Sequence, residues 1–571
     1  MTTSTGIKSL LRWFGGLICF FATFSPAISQ NIPVSFPMIN EYLRREQVIG
    51  EKGTDLSFNY RPITLNKALD SLAFIKEDGI LERFGKPLTK KNSLLQFNLL
   101  PLQATQVYNA AYPYGWGDGP VLPARGFQHL LEVGLHASVG ILSVQLYPQF
   151  FHAQNLPFQE YDESLPTDYF WAISLFVTQI DRPIRHGTRS ITQVLPGNSH
   201  VKLNFGSFAA GISTENIWWG PGQNHALVLS DNAAGFPHVT LNTTRPAKTF
   251  IGNWEGQYFM GRLDGSGYPF FSDGAYQHLF SPYRDDWRYI TGISISYAPK
   301  WLVGLSLGFT RSFMMYSETL RDGGFYTWFP LLEGLRKEKI GLMESHLSET
   351  DQHLSVFARW VIPEAKAEIY GELMRTDHPL NWRDLFLNPE HARGYILGFS
   401  KYFPLSEKDL LSVKMEMTQT ENSIGSLVRW GEKGGSYHSG LGLYENFQVR
   451  HGLTHRGQVL GSGLGHSGNL TLMEISKING LNKLGLTLER WARDTHFHNF
   501  PKANGLDVLR WVDLGLGAVF DRQFHHLLLS ANAKFIQGHN YNYAVQESNS
   551  LGDFGKRKAN FHSRVKIAYL F

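Results

Sequence analysis

The last segment of the chain, 561–571 (FHSRVKIAYLF), constrains the fold most, because it alternates in polarity and ends on an aromatic residue. In an extended strand its apolar side chains lie on one side and its polar ones on the other. Soluble chains usually end in frayed, polar residues. In a bacterial outer-membrane β-barrel the last strand pairs with the first, so that no backbone edge faces lipid, and aromatic side chains lie at the membrane interface. The segment favours the closing strand of such a barrel, with the last strand of a soluble sheet as the alternative.

The first 29 residues have the pattern of a secretory signal peptide. Two basic residues precede an apolar run over 17–24, and small residues follow it. We expect the mature chain to begin near Gln30. The single cysteine, Cys19, lies inside this segment, and the residues before it do not fit a lipoprotein attachment motif. The mature chain is therefore expected to close without disulfides.

Composition excludes several classes of protein. The formal net charge is only +4 and no basic run occurs, so we expect no nucleic-acid partner. After residue 29, no apolar stretch is long enough for a transmembrane helix. Hydrophobic residues make up 43% of the chain, aromatic residues make up 14%, and glycine occurs 56 times. A barrel wall, which needs apolar residues only at alternate positions, fits this composition better than a helical membrane protein.

Residues 30–93 differ from the rest of the chain because their apolar residues have helical spacing. Ile39, Tyr42 and Leu43 fall on one helix face behind Pro37, and further short helices are expected near 64–72 and 76–84. Helices this short need a surface to pack on. We expect a small helical plug in the barrel mouth, with a periplasmic adaptor as the alternative.

From residue 94 to the C-terminus the period is two, which predicts an all-β fold, an antiparallel transmembrane β-barrel of about 18 strands. The predicted strands are 94–108, 127–138, 141–152, 168–180, 200–213, 237–244, 247–263, 289–298, 301–313, 352–362, 366–376, 392–403, 408–420, 469–479, 482–493, 508–520, 524–538 and 561–571.

Short and long connections alternate between the predicted strands, as in porin-like barrels. We therefore expect the C-terminus on the periplasmic side and the long loops outside the cell. Two connections are exceptions: 181–199 is long for the periplasmic side, and 421–468 has room for another hairpin. An interior of this width must be filled with protein or it will conduct.

Several sequence blocks resemble one family of outer-membrane proteins. They are 113–119 (PYGWGDG), 123–128 (PARGFQ), 213–222 (STENIWWGPG), 230–238 (SDNAAGFPH), 287–289 (WRY), 299–301 (PKW), 377–378 (DH), 383–384 (RD), 389–391 (PEH) and 451–461 (HGLTHRGQVLG). Together they are similar to the Wzi-type capsule assembly proteins, over essentially the whole mature chain. Gly117 departs from the family pattern, in which we expect Asn before Asp-Gly.

The resemblance implies an eighteen-stranded barrel with a periplasmic helical bundle. It also implies a lectin-like, non-enzymatic role in which exported capsular or extracellular polysaccharide is held at the cell surface. We expect a monomer whose partners are this polysaccharide and outer-membrane lipid. Two alternatives stay open: a channel with an open lumen, and an outer-membrane enzyme that acts on lipid or glycan.

Sugars offer hydroxyls to polar side chains and apolar ring faces to aromatic ones, and arginine binds the carboxylates of acidic sugars well. The candidate glycan-binding residues on the predicted outer side are Trp116, Asp118, Trp218, Trp219, Asp377, Trp382, Arg383, Asp384, Arg450 and Arg456, with Tyr112 and Tyr114 beside them. Structural roles are the alternative. The Trp-Trp-Gly-Pro-Gly block could fold a loop into the lumen, and the residues of 377–384 could form an ion network that fixes their loop.

Metal and catalytic sites find little support in the sequence. His378 and His391 lie near acidic residues, but their spacing matches no standard metal site, and the chain contains 22 histidines. No Gly-x-Ser-x-Gly motif surrounds any serine. We expect no catalytic residue, no cofactor and no metal.

Overall fold

An antiparallel sheet that closes on itself forms the wall of the protein. The computed structural model describes residues 30–50, 56–65, 84–90, 93–331, 349–376, 393–421, 442–465, 467–543 and 556–571. Among these described residues, the sheet has 24 paired segments. They form eighteen continuous strands, because five strands are each divided in two and Lys86–Pro87 is only a short added pairing. Each division contains a proline or a glycine, which interrupts the hydrogen-bond ladder.

The strands follow one another in chain order around the barrel. They are β1 (Leu95–Leu99 and Leu102–Asn109), β2 (Gly126–Glu132 and Leu135–Val139), β3 (Leu142–Leu146 and Gln149–Ala153), β4 (Ile191–Leu195 and His200–Phe205), β5 (Phe208–Ser213), β6 (His238–Thr243 and Ala247–Lys248), β7 (Gly252–Leu263), β8 (Arg288–Pro299), β9 (Leu305–Tyr316), β10 (Asp351–Ile362), β11 (Ala367–Thr376), β12 (Arg393–Pro404), β13 (Leu410–Gln419), β14 (Asn469–Asn479), β15 (Asn482–Ala492), β16 (Val512–Phe524), β17 (Leu527–His539) and β18 (Arg557–Tyr569). The prediction of an all-β antiparallel barrel is confirmed.

The closing strand behaves as its sequence pattern predicts. β18 pairs with β1 from Tyr569 opposite Leu102 to His562 opposite Asn109, and this pairing closes the ring. Its side chains at Phe561 and Ile567 are exposed on the outer face, whereas His562 is buried. β15 has the same arrangement of exposed apolar and buried polar side chains. Leu484, Leu486 and Leu488 are exposed, whereas Thr487 and Glu489 are buried. Apolar side chains thus face outward and polar ones face the lumen, as a membrane-embedded wall requires.

Connection lengths alternate strictly between the two ends of the barrel. Eight connections have two to five residues and lie at the end that also holds the C-terminus. The nine connections at the other end have 16 to 49 residues.

Two of the predicted strands in the first third of the barrel were wrong. Segment 168–180 holds the helix α2 (Thr167–Val177) instead of a strand, and it lies in the long connection 154–190. Segment 200–213 is not one strand, because a turn at 206–207 divides it into the end of β4 and the whole of β5. The unexpectedly long connection 181–199 disappears with these two corrections, since β4 begins at Ile191.

Elsewhere the boundaries move by a few residues. β9 begins at Leu305 instead of 301, because Trp301 to Gly304 form a turn in which Gly304 has a positive φ of 82°. In the long connection 420–468, the described part 442–465 forms only the two-residue pairing of Thr454–His455 with Gln458–Val459, which lies outside the barrel sheet.

The helix α1 (Pro37–Ile49) lies inside the barrel at the short-turn end. It starts at a proline, which has no N–H to leave unpaired in the first turn. Its residues Ile39 and Leu43 are fully buried in a cluster with Leu481, in the β14–β15 turn, and Leu570, beyond β18. The other predicted plug helices lie largely outside the described residues. Among the described residues, the further helices are α2, α3 (Ser317–Asp322), α4 (Phe325–Trp328) and α5 (His496–Ala503), with 3₁₀ turns at Gln277–Leu279, Pro363–Ala365 and Tyr541–Tyr543.

A layer of long-loop segments fills the lumen above α1. In loop 214–237, Trp218–Trp219 pair in antiparallel fashion with Tyr60–Arg61 of the N-terminal region. Trp219 and Leu227 are fully buried against inward residues of the wall, among them Ile396 of β12. Residues of 442–465, such as Tyr444 and Leu453, belong to the same apolar cluster. The loops therefore pack inward as a core and do not only extend outward.

Candidate functional site

A cavity of about 130 Å³ lies among the long loops, above this packed layer. We call it the loop-end cavity. It is several times larger than the roughly 10–15 Å³ that one ordered water needs. Aromatic side chains dominate its lining, namely Tyr112, Tyr114, Phe158, Tyr161, Tyr169, Phe270, Phe271, Trp491, Phe497, Trp511 and Tyr543. Their charged and polar neighbours include Glu160, Arg182, His186, Arg493 and Asp494.

The Arg493 guanidinium lies inside a cage of aromatic rings. Its central carbon is 3.9 Å from the ring centre of Trp491, 4.7 Å from that of Trp511 and 5.4 Å from that of Tyr112. Trp491 lies near the end of β15 and Trp511 directly precedes β16, so the two neighbouring strands hold the cage. Stacking of a guanidinium on several rings is favourable because the ring faces carry negative charge.

The carboxylate of Asp513 links the arginine of this cage to two of its rings. Asp513 pairs with Arg493 at 2.6 Å between Oδ2 and Nε. It also accepts hydrogen bonds from the Trp511 indole N–H at 2.8 Å and from the Tyr112 hydroxyl at 3.1 Å. Two of the three rings thus donate to Asp513, and these bonds fix the orientation of Trp511 and Tyr112.

A second arginine–carboxylate pair lies on the cavity wall. Arg182 Nη1 is 3.1 Å from both carboxylate oxygens of Asp494. The Tyr543 hydroxyl donates to the backbone carbonyls of Arg493 and Asp494 and holds this corner in place.

Glu160 and Tyr161 are half-buried on the same wall. Glu160 accepts the Ser272 backbone N–H at 2.7 Å as well as the Ser272 hydroxyl. Burial raises the pKa of Glu160 and these hydrogen bonds offset part of the rise. Tyr161 packs edge-on against Phe271 and donates to Asp273 at 3.1 Å. Burial also lowers the pKa of His186 to about 4, so this ring is neutral at pH 7.

Aromatic faces and fixed hydrogen-bonding groups around one concave space suit a ring that is apolar on its faces and polar at its edge. A sugar ring has this character. Within the described ranges, no group of three or more His, Cys, Asp or Glu side chains is arranged to hold a metal ion.

Of the residues predicted to contact glycan, two are buried in the lumen instead of facing outward. Trp219 is fully buried and donates its indole N–H to Gln257 at 2.9 Å. Trp218 is also buried, under the Arg61 guanidinium at 4.6 Å. The assignment of these two residues to an outer glycan surface was wrong, because they join the loop layer to the N-terminal region. This is the structural alternative that the sequence left open.

Trp116 and Asp118 line a second, polar cavity of about 220 Å³ below the first, between the loop layer and α1. Trp116 is half-buried and stacks on His225, with 5.2 Å between ring centres. Asp118 is buried and pairs with Arg564 at 3.2 Å and Lys566 at 3.0 Å. Burial alone would raise the pKa of Asp118, but these two cations lower it to about 2.

The two predicted arginines of segment 442–465 are not among the residues that line the loop-end cavity, although Arg456 directly precedes the lining residue Gly457. Arg450 donates to the carbonyls of Thr178 at 3.1 Å and Ser281 at 2.8 Å, so it ties three loops together. Arg456 is half-buried, and its backbone N–H donates to the Asp264 carbonyl at 2.9 Å. The remaining predicted residues, Asp377, Trp382, Arg383 and Asp384, lie outside the described residues.

Sequence reasoning missed most of the loop-end cavity. Tyr112 and Tyr114 stood beside the predicted set, but Trp491, Arg493 and Trp511 were assigned to strand ends and strand starts. The available signal was a cluster of aromatic and charged residues where predicted strands end, as in Trp491-Ala-Arg-Asp494.

A family comparison decides the class of the protein. The model of the family described as capsule assembly protein Wzi matches residues 159–510, which is more than half of the 571 residues. The chain belongs to this family. Most of the cavity lining and most of the barrel wall of this Wzi family member lie within the matched region, whereas Tyr112, Phe158 and Trp511 lie outside it. A search of curated protein sequences found no significant match.

One solved structure shares the fold of this chain. The Wzi protein of Escherichia coli, described as an outer-membrane protein involved in group 1 capsule assembly and a carbohydrate-binding β-barrel, superposes with a TM-score of 0.55. The two are 13% identical, over 96% of this chain and 100% of that one. The outer-membrane channel DcaP of Acinetobacter baumannii has a TM-score of 0.27 and 9% identity, over 85% of this chain and 99% of that one. A BenF-like porin from Pseudomonas fluorescens has a TM-score of 0.35 and 9% identity, over 83% and 98%.

The family match and the Escherichia coli structure together identify an outer-membrane β-barrel. Among the residues that the structure describes, no helix is long and apolar enough to cross a membrane.

Proposed function

We propose that this Wzi family member is a non-enzymatic outer-membrane protein that binds exported capsular or extracellular polysaccharide and holds it at the cell surface. The observation that carries the proposal is the loop-end cavity, an aromatic-lined concave space placed over a lumen that is packed with protein. A transport channel would need the lumen that these loops occupy.

The alternation of connections supports the orientation in this proposal. Long loops project from the outer surface of bacterial barrels and short turns face the periplasm. In this orientation the loop-end cavity faces the medium that contains the polysaccharide, and α1 faces the periplasm. The proposal includes a signal peptide over 1–29, an N-terminal plug within 30–93 and a monomeric barrel over 94–571 embedded in outer-membrane lipid.

The test is the partition of polysaccharide between the cell surface and the medium. In cells that lack the gene, we expect the retained polysaccharide to fall and the released polysaccharide to rise, with the total unchanged. Phe158→Ala should reproduce part of this shift because Phe158 lines the cavity and is half-buried. Phe325→Ala is the matched control, since Phe325 is exposed on another long loop and is not among the cavity residues.

Each alternative predicts a different result. An unchanged partition in the deletion strain would contradict the proposal and favour the channel. Loss of both retained and released material would indicate a role in synthesis or export. If the purified protein shortened or modified the polymer, the non-enzymatic part of the proposal would be wrong.

A further inference from the structure

We infer that the loop-end cavity selects an uncharged sugar ring and rejects a sugar that carries a carboxylate. This inference rests on the proposed function and specifies its ligand. It runs against the expectation from sequence that arginines in the loops would bind acidic sugars.

Both arginines of the cavity lining already have a carboxylate partner. Arg182 contacts both oxygens of Asp494 at 3.1 Å. Arg493 contacts Asp513 at 2.6 Å and is enclosed by rings on several sides. A uronic acid that approached either guanidinium would place its carboxylate beside one that already neutralises the cation. Two carboxylates beside one cation repel each other, so the ligand would gain little from the contact.

The charge of the lining also opposes an acidic ligand. The lining carries two guanidiniums and two carboxylates, those of Asp494 and Glu160, and a third carboxylate, that of Asp513, contacts Arg493. His186 adds no positive charge at neutral pH, because burial lowers its pKa to about 4. An entering carboxylate therefore meets no excess of positive charge among the described lining residues.

The remaining lining fits a neutral ring. Aromatic side chains such as Trp511 and Tyr161 offer surface to the apolar faces of a pyranose. The polar edge of the ring can exchange hydrogen bonds with the fixed carboxylates, which accept readily from hydroxyl groups. Carboxylates that repel an acid therefore favour a neutral polyol.

The test compares sugars that differ only at one carbon. The full-length protein in detergent is titrated with methyl glucoside and methyl glucuronide, and then with the galacto and manno pairs, and binding is followed by ligand NMR. We expect the neutral member of at least one pair to bind about tenfold or more tightly than its uronide. Equal or tighter binding of the uronides, or no binding of any neutral glycoside, would overturn the inference.

Asp494→Asn gives the sharpest variant. It keeps the size of the side chain, tolerates the positive φ of 30° at this position and frees Arg182 from its partner. We expect it to reduce the preference for the neutral sugar by about tenfold, and the added substitution Arg182→Gln to restore that preference. Asp507→Asn is the control, because it makes the same charge change in the same loop at an exposed residue outside the cavity lining.

The outcomes separate this inference from the proposed function. If Asp494→Asn shifted the preference no more than Asp507→Asn, the charge argument would be wrong. Polysaccharide retention in cells could still depend on Phe158, and the proposed function would then stand with an acidic ligand.

Discussion

At the scale of single residues, one buried carboxylate in the lumen, that of Glu368, joins three parts of the chain. Glu368 of β11 accepts hydrogen bonds from the Nε atoms of Arg44 in α1, at 3.0 Å, and Arg359 in β10, at 2.8 Å. It also accepts the amide of Gln223, from the loop layer, at 2.9 Å. One carboxylate thus joins the wall, the helix and the loop layer.

Glu368→Gln should loosen α1. The substitution leaves two buried guanidiniums without a counter-charge, a change that typically costs about 3–5 kcal/mol. If about 3 kcal/mol of this falls on the local opening of α1, its amide hydrogens should exchange about 100-fold faster. Hydrogen exchange measured by mass spectrometry on the purified protein checks this.

Glu364→Gln is the control for that measurement. Glu364 has the same chemistry, is exposed in the β10–β11 turn and lies four residues from Glu368. We expect its exchange to match the native protein, since surface substitutions usually change stability by less than about 0.5 kcal/mol. If both variants exchanged alike, Glu368 would not hold α1.

At the scale of elements, the sequence predicted those strands whose two faces differ. β18 and β15 alternate between exposed apolar and buried polar residues, and their predicted bounds are within a few residues of the observed ones. Segment 168–180 failed because it is almost continuously apolar, and period alone does not separate a short buried helix from a strand. In the structure its residues Tyr169, Ile173 and Val177 lie on one helical face that packs among the loops.

The loop-end cavity could not be predicted in the same way. Its lining comes from seven separate connections, from Tyr112 to Tyr543, and from the end of β15. No pattern within one segment reports which loop tips meet. The resemblance to the family indicated the class of ligand, but the pairing of Arg182 with Asp494, 312 positions apart, exists only in the folded chain.

The alternation of turns and loops makes a prediction about single elements. An epitope tag after Gly274 enters a long loop at a residue with open space around it and a positive φ of 72°. A tag after Glu407 enters the short β12–β13 turn. We expect antibodies to bind the first tag on intact cells and the second only after permeabilisation. Equal signals in permeabilised cells are the control, and the reverse pattern would overturn the proposed orientation.

At the scale of the whole molecule, the segments inside the wall form one connected body. α1 closes the short-turn end, the loop layer crosses the lumen, and the loops that line the loop-end cavity lie above that layer. The layers are joined directly, since Arg44 of α1 donates to the carbonyl of Pro221 and Tyr60–Arg61 pair with Trp218–Trp219. Removing one layer should therefore weaken the next.

This connection leads to a prediction for conductance in planar bilayers. Eighteen strands enclose an interior wide enough for an aqueous channel, so only the inner layers limit the current. We expect the native protein to pass little steady current. A variant that lacks residues 30–65 should conduct at least about tenfold more, because it loses α1 and the strand that holds the loop layer in the lumen.

A five-residue insertion after Gly274 is the control and should not conduct, since it changes a loop tip and no inner layer. A large steady current through the native protein would contradict a plugged lumen and would favour the channel alternative.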